Sequence, residues 1–144
     1  MENIKLENIK MDLEVSLDRV GDLLCSAFEG GSNYWYRIDY DKSEAPKEIN
    51  YDFFGYEENG KKYVFRHVNW PLTGGKLFVF DRDAEEDDED RFQGYLDLEA
   101  CKKGLKLMAE KYPRHYGDFA DENDDADTGD VFLQLALFGD IIFG

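Results

Sequence analysis

Hydrophobic and polar residues follow two different periods along this chain. Across residues 17–29, apolar side chains recur every three or four positions, which is the period of one helix face. Ser16 is a suitable N-cap, and Gly30 and Gly31 are suitable C-terminal residues because glycine adopts positive φ without a Cβ clash. The pattern therefore predicts a helix over this range, followed by an aromatic-rich strand over residues 33–40.

A period of two predicts strands elsewhere in the chain. Ile9, Met11, Leu13 and Val15 alternate with polar residues, so we expect a strand over residues 9–15. Three further strands are expected at 51–56, 62–68 and 76–81. Their connections are short, and one of them contains Asn59-Gly60, a pair that favours tight hairpins. These three segments therefore predict an antiparallel meander, with His67 in its middle strand.

Two more helices are expected in the second half of the chain. Asp97 is the predicted N-cap of a helix over residues 98–111. Asp127 or Thr128 is the predicted cap of a last helix over residues 127–138, which Gly139 ends. A short apolar tail follows it.

Together these elements predict a single α+β domain over residues 1–144. We expect an antiparallel sheet of about four to five strands, covered on one face by the three helices at 17–29, 98–111 and 127–138.

Charge narrows the possible partners of the chain. It has 144 residues and a formal net charge of −16, with an isoelectric point near 4.4. Phosphate backbones and anionic membrane surfaces repel such a protein, which excludes direct nucleic-acid and membrane partners. Basic surfaces, cations or small ligands are the expected partners, although simple solubility accounts for acidity equally well. The stretch 83–90 carries seven carboxylates in eight positions and is expected to be a solvated loop.

Cysteine use and hydropathy indicate a cytoplasmic protein. Cys25 and Cys101 lie in predicted helices and form no CxxC pair, which is typical of reduced, buried thiols. No apolar run reaches the roughly 20 residues of a membrane span, and the first ten residues lack the apolar core of a signal peptide.

Motifs for catalysis and metal binding are weak. An EF-hand loop starting at Asp121 would have Ala126 at its sixth position and Phe132 at its twelfth, where glycine and glutamate are required. His67 and His115 have no cysteine at a zinc-ligand spacing. No phosphate-binding or nucleophile motif occurs. The sequence therefore predicts no metal, no cofactor and no catalytic residue, and favours binding over catalysis.

Two blocks of sequence carry a family resemblance. DLLCSAFEGGSNYW at 22–35 and DADTGDVFLQLALFGDIIFG at 125–144 resemble the two ends of a family of small phage and prophage proteins. The resemblance implies a phage accessory protein and brings no defined activity with it. If the two blocks meet, they form a candidate ligand site or simply pack together in the core. The residues of that site are Glu29, Gly30, Gly31, Asn33, Tyr34, Trp35, Asp127, Thr128, Asp130 and Gln134.

Three hypotheses for function follow. The first is a phage counter-defence protein, of anti-CRISPR or anti-restriction type, whose carboxylates occupy a basic nucleic-acid-binding surface of a host defence complex. Its partner-binding residues are Glu85, Glu86, Asp87, Asp88, Glu89, Asp90, Asp121, Glu122, Asp124 and Asp125. The second is a small-molecule or nucleotide binder with an aromatic pocket near Trp35. The third is an enzyme with Glu29 and Asp127 or Asp130 as paired carboxylates.

Overall fold

The structure is a computed structural model that describes residues 6–89 and 91–144, so expectations for residues 1–5 and for Asp90 lie outside the described residues. The helices are α1 (Leu17–Ser26), α2 (Arg66–Leu72), α3 (Leu98–Lys111), α4 (Pro113–Ala120) and α5 (Ala126–Phe138), and a π-helical segment, Ala27–Gly31, continues α1. The strands are β1 (Tyr36–Tyr40), β2 (Gly55–Glu58), β3 (Lys61–Val64), β4 (Leu77–Asp81) and β5 (Phe92–Leu96).

The strands form two antiparallel sheets, which confirms the α+β class. β1, β4 and β5 form a three-stranded sheet in the order β1-β4-β5, and β2 and β3 form a two-stranded sheet. The expectation of one sheet with four to five strands was wrong, as was the meander of three consecutive strands. The Asn59-Gly60 hairpin is present, and both residues have positive φ, 53° and 78°. The hairpin and the three-stranded sheet are separate because a helix follows β3.

Residues 66–72 form that helix, α2, where the sequence pattern predicted the end of a strand and a turn. His67 therefore lies in a helix. Val68 and Leu72 are four residues apart and both are buried. This spacing is that of one helix face, whereas the sequence had predicted the alternation of a strand. Asn69 is also buried, and its side-chain amide donates to the carbonyls of Asn50 and Phe53 at 2.9 and 2.7 Å. These tertiary bonds to a preceding loop have no local sequence signal.

The predicted strand over residues 9–15 does not form. Residues 6–16 have no helical or strand structure, and the side chains of Ile9, Met11 and Leu13 are 90%, 77% and 67% exposed. A strand needs a neighbour to satisfy its backbone groups, and this segment makes no backbone hydrogen bond with another described residue up to Val15.

Three helices were expected and five are present among the residues that the structure describes; local signals placed four of the helix ends correctly. α3 has the predicted bounds, and the Asp97 carboxylate accepts from the backbone N–H of Ala100 at 2.9 Å. Ser16 caps α1 as predicted. The cap of α5 is Asp125, two residues before the predicted cap, because its carboxylate accepts from the N–H of Thr128 at 3.0 Å. Gly139 ends α5 with φ of 75°, as predicted.

The glycines after α1 have a different role from the predicted one. Gly30 and Gly31 lie in the π-helical segment, and neither has a positive φ. A Cβ on Gly31 would lie 1.9 Å from the carbonyl oxygen of Ala126. Gly31 is therefore required for close approach to the start of α5, and it does not act as a left-handed helix end.

Helix α5 runs through the centre of the molecule. It packs against α1, α3, α4, the π-helical segment and β5. Its buried residues and those of the inner sheet face form one core, which includes Leu77, Val79, Leu96, Phe132, Leu133 and Leu135. None of the helices in the described ranges has the length and apolar character needed to cross a bilayer.

Candidate functional site

The sequence blocks 22–35 and 125–144 meet at Asp130, on the second turn of α5. One carboxylate oxygen accepts from Ser32 Oγ at 2.7 Å and Trp35 Nε1 at 2.8 Å. The other accepts from the Tyr34 hydroxyl at 2.8 Å and Gln134 Nε2 at 3.1 Å. Four donors occupy the acceptor positions that an ionised carboxylate offers. Asp130 therefore holds the chain that follows the π-helical segment against α5.

Burial and the Asp130 carboxylate together perturb Tyr34. Desolvation raises the pKa of the Tyr34 phenol to about 12, and the hydrogen bond to Asp130 adds to the effect because it favours the protonated hydroxyl. The phenol is therefore neutral at physiological pH and acts as a donor to Asp130.

The C-terminal tail closes over this cluster. Gln134 Oε1 accepts from the backbone N–H groups of Ile142 and Phe143 at 2.7 and 2.8 Å, and Gln134 Nε2 donates to the carbonyl of Phe143 at 3.1 Å. The Phe143 ring stacks on Trp35, with centroids 4.7 Å apart and planes 5° apart. Trp35 is only 2% exposed. A ligand can stack on Trp35 only if the tail leaves it.

Glu29 and His67 form a separate pair beside the Asp130 cluster. His67 Nε2 lies 3.5 Å from the Glu29 carboxylate. Burial lowers the pKa of His67, and the charge of Glu29 partly opposes this shift. Paired-carboxylate catalysis by Glu29 and Asp130 has little support from the geometry, since four donors already occupy the oxygens of Asp130.

An open depression of about 310 Å³ lies beside Glu29, and it is lined by Cys25 and Asp125 among others. Desolvation, followed by the charge of Glu29, raises the pKa of the Cys25 thiol to about 11. A protonated thiol is a poor nucleophile, so Cys25 is not activated for attack at neutral pH.

The remaining predicted site residues occupy different surroundings. Thr128 is buried, and its hydroxyl lies 2.9 Å from His115 Nδ1, in the network that caps α5. Asp127 and Asn33 are exposed, and the backbone carbonyl of Asn33 accepts from the Arg82 guanidinium. Four of the predicted ligand-site residues belong to the hydrogen-bonded cluster around Asp130: Tyr34, Trp35, Asp130 itself and Gln134. Ser32 and Phe143 were not among the predicted site residues, because their roles depend entirely on tertiary contacts.

A second surface was also missed: the face of the three-stranded sheet that points away from the core. We define the outer sheet face by the aromatic residues Phe78, Phe80, Phe92 and Tyr95. Phe92 and Tyr95 are exposed, and the rings contact one another with centroids 5.0 to 6.3 Å apart. A bulge in the β4–β5 ladder lets both exposed aromatics of β5 face the same side. A sequence signal existed, because LFVF at 77–80 is apolar on both of its faces.

Cationic side chains lie over this aromatic face. Arg91 and Arg37 lie 4.5 and 5.6 Å from the centroid of Phe80, and Lys76 lies 5.0 Å from that of Tyr95. These are cation–π distances, so the cations are drawn onto the rings. The outer sheet face also forms a shallow depression of about 310 Å³.

The acidic loop, which we define as residues 83–89, connects the two strands that carry these rings. It leaves β4 just after Phe80 and returns to β5 just before Phe92, and those two residues are paired in the ladder. Every residue from Glu85 to Glu89 is exposed. Carboxylates and exposed aromatic rings are therefore neighbours at one end of the sheet.

The other predicted acidic stretch, 121–125, is partly committed to the fold. Asp124 accepts from the Arg19 guanidinium at 2.8 Å, and this bond is the main cause that raises the pKa of Arg19. Asp125 caps α5, while Asp121 and Glu122 are exposed. Within residues 6–89 and 91–144, no group of three or more histidine, cysteine or acidic side chains is placed to hold a metal ion.

No protein-family model, curated protein or solved structure significantly matches this chain. The resemblance to phage and prophage proteins therefore stays a prediction.

Proposed function

We propose that this protein is a phage-encoded counter-defence protein that acts by binding. Its acidic loop and outer sheet face occupy a basic nucleic-acid-binding surface of a host defence complex, of the CRISPR-effector or restriction-enzyme type. The observation that carries the proposal is the position of the acidic loop, which joins the two strands that bear the exposed aromatic rings.

This combination suits a basic protein surface. Carboxylates of the acidic loop take the place of phosphates as partners for lysine and arginine, and they accelerate encounter through long-range attraction. Exposed aromatic side chains supply the apolar contact that carries most of the affinity in protein interfaces. Phe92 and Tyr95 are the proposed anchors, and the loop supplies the charged rim.

The stretch 121–125 has a smaller part in this proposal than the sequence suggested. Asp124 and Asp125 already bind groups of the protein itself. Asp121 and Glu122 are the exposed carboxylates of this stretch for which no side-chain hydrogen bond or ion pair is described. The acidic loop is therefore the main electrostatic determinant of partner binding.

Binding to purified defence complexes tests the proposal, with affinity measured over a salt series. The loop variant combines Glu85→Gln, Glu86→Gln, Asp87→Asn, Asp88→Asn and Glu89→Gln. The matched control removes the same charge from exposed positions elsewhere and combines Glu44→Gln, Glu48→Gln, Glu57→Gln, Glu58→Gln and Glu110→Gln. We expect the loop variant to lose at least about tenfold in affinity at low salt and to show a weaker salt dependence than the parent.

A second pair of variants tests the aromatic anchors. Phe92→Ala and Tyr95→Ala remove exposed rings from the outer sheet face and are expected to raise the dissociation rate. The five-residue charge control is expected to bind within about threefold of the parent, because its substitutions weaken only the long-range attraction to the partner. Affinity that is indifferent to salt, to the loop variant and to both alanine variants would rule out the proposal.

A further inference from the structure

A segment of the chain has the pattern of a strand and no neighbouring strand. We call residues 9–15 the arm. Its apolar residues alternate with Lys10, Asp12 and Glu14, yet the arm makes no backbone hydrogen bond with any other described residue. Exposed apolar residues that alternate with polar ones are typical of a segment that pairs with the edge of a sheet.

The three-stranded sheet offers such an edge at β1. On its paired side, the Arg82 N–H donates to the carbonyl of Trp35 at 2.8 Å, and the Asp41 N–H donates to that of Lys76 at 3.0 Å. Backbone groups alternate in direction along a strand, so those of Ile38 point to the open side. The N–H and C=O of Ile38 have no partner among the described residues. The N–H groups of Tyr36 and Tyr40 donate to the Ser32 carbonyl at 3.4 Å and to Asp39 Oδ1 at 2.8 Å, and an added strand would replace these bonds. An unpaired edge of this kind is a template for another strand.

One register matches the arm to this edge. Antiparallel pairing with Met11 opposite Ile38 puts Leu13 opposite Tyr36 and Ile9 opposite Tyr40, so all the apolar residues share the core side. On the solvent side the same register pairs opposite charges. Asp12 lies opposite Arg37, and Lys10 lies opposite Asp39.

Other registers are less favourable by charge or by side. A slip of two residues in one direction places Lys10 opposite Arg37, and like charges directly opposite one another are destabilising. The opposite slip pairs Glu14 with Arg37 and Lys10 with Asp41, but it also places Asp12 opposite Asp39. A slip of one residue turns the apolar side chains to solvent. The other edge of the sheet, at β5, reads FQGYL and offers no charge to the arm.

The arm lies against α3 and α4, and not against its own β1. Met11 and Leu13 line a groove with Leu105 and Ala109 of α3 and Tyr116 of α4. Helix α3 contacts β5, which is at the opposite edge of the sheet from β1. We propose that the arm of each copy adds as an antiparallel strand to β1 of a second copy, so that two copies exchange arms across a twofold axis.

Charge reversal at the paired positions tests this exchange, with molar mass measured by light scattering or sedimentation over a concentration series. The parent is expected to be a dimer at the upper concentrations. Asp12→Arg alone and Arg37→Asp alone each place like charges opposite one another in both interfaces, so each is expected to weaken association by about tenfold or more. The double variant is expected to regain it.

A mixture of the two single variants separates exchange between copies from pairing within one chain. In a mixed pair both interfaces again join opposite charges, so the mixture is expected to dimerise although neither variant does so alone. Rescue in the double variant without rescue in the mixture would instead indicate pairing within one chain and would overturn the proposal.

Met11→Pro provides a test that leaves the fold intact, because residue 11 lies outside the core and the regular elements. Proline removes the N–H that would pair with Ile38, so the dimer is expected to dissociate. Added salt is expected to strengthen the parent dimer, since it screens the repulsion between two chains of charge −16. A parent that is monomeric at every concentration, or a dimer that is insensitive to both Asp12→Arg and Met11→Pro, would refute the exchange. This test needs no defence complex, so it succeeds or fails independently of the proposed function.

Discussion

The two acidic stretches of the chain use their carboxylates in different ways. Between residues 121 and 130, Asp124 pairs with Arg19, Asp125 caps α5, and Asp130 accepts four hydrogen bonds. In the acidic loop, the side chains from Glu85 to Glu89 all face solvent. The first stretch therefore contributes to stability, and the second presents its charge at the surface. Runs of similar composition can have opposite roles, and the donors nearby decide which role each carboxylate has.

The largest expected effect is at Asp130. Asp130→Ala leaves the buried Trp35 and Ser32 donors without their acceptor, so we expect unfolding free energy to fall by about 4 kcal/mol. Urea denaturation measures the change. Asp127→Ala, three residues away and exposed, is the matched control and is expected to change stability by less than about 0.5 kcal/mol. Equal losses at the two positions would contradict the structural role of Asp130.

The next effect is at the contact between the π-helical segment and α5. Gly31→Ala forces the Ala126 backbone away, and we expect a loss of about 3 kcal/mol by the same measurement. At Gly30 the nearest atom to an added Cβ is 3.6 Å away, an ordinary contact. Gly30→Ala is therefore expected to be neutral or slightly stabilising, since alanine reduces the freedom of the unfolded chain. If Gly31→Ala does not lower the unfolding free energy, the backbones of Gly31 and Ala126 are not in close contact.

A smaller, pH-dependent effect is expected at Asp125. The backbone N–H of Thr128 is the main cause that lowers the pKa of the Asp125 carboxyl. Its stabilising contribution is therefore fully present above the unfolded-state pKa, near about 3.9, and is lost as pH falls through the lower folded-state value. Asp125→Ala is expected to cost about 1 kcal/mol at neutral pH, with a difference that shrinks in acid. Asp121→Ala, outside the cap, should show no such pH-dependent difference in parallel melts.

The smallest effect on stability is expected in the acidic loop. Residues 85–89 are exposed, and neutralising them removes mutual repulsion, so unfolding free energy should change by less than about 0.5 kcal/mol. The same variant is the one expected to lose the most partner affinity. A large loss of stability in it would show that these carboxylates hold the fold after all, and the contrast between the two stretches would disappear.

Helices with strong local signals were predicted well. Asp97 and the periodic apolar residues of α3 gave both of its ends correctly, and Gly139 marked the end of α5. Residues 66–72 were missed because alternation near His67 resembles a strand, while the buried amide of Asn69 stabilises a helix through bonds to residues 16 and 19 positions away. In the candidate site, Trp35 and Asp130 were predicted, but Ser32 and Phe143 were not.

The sequence by itself determined the α+β class, the start of α1, both ends of α3, the end of α5, the hairpin at Asn59-Gly60 and the strong negative charge. Those features depend on periodicity, capping and turn chemistry, which act over a few neighbouring residues. Only the tertiary structure decided which carboxylates are used by the fold, because the donors to Asp130 from Ser32 and Trp35 lie 98 and 95 residues away along the chain. The tertiary structure also leaves residues 9–15, which have the alternating pattern of a strand, without a neighbouring strand among the described residues. Strand pairing depends on where an open sheet edge lies in space.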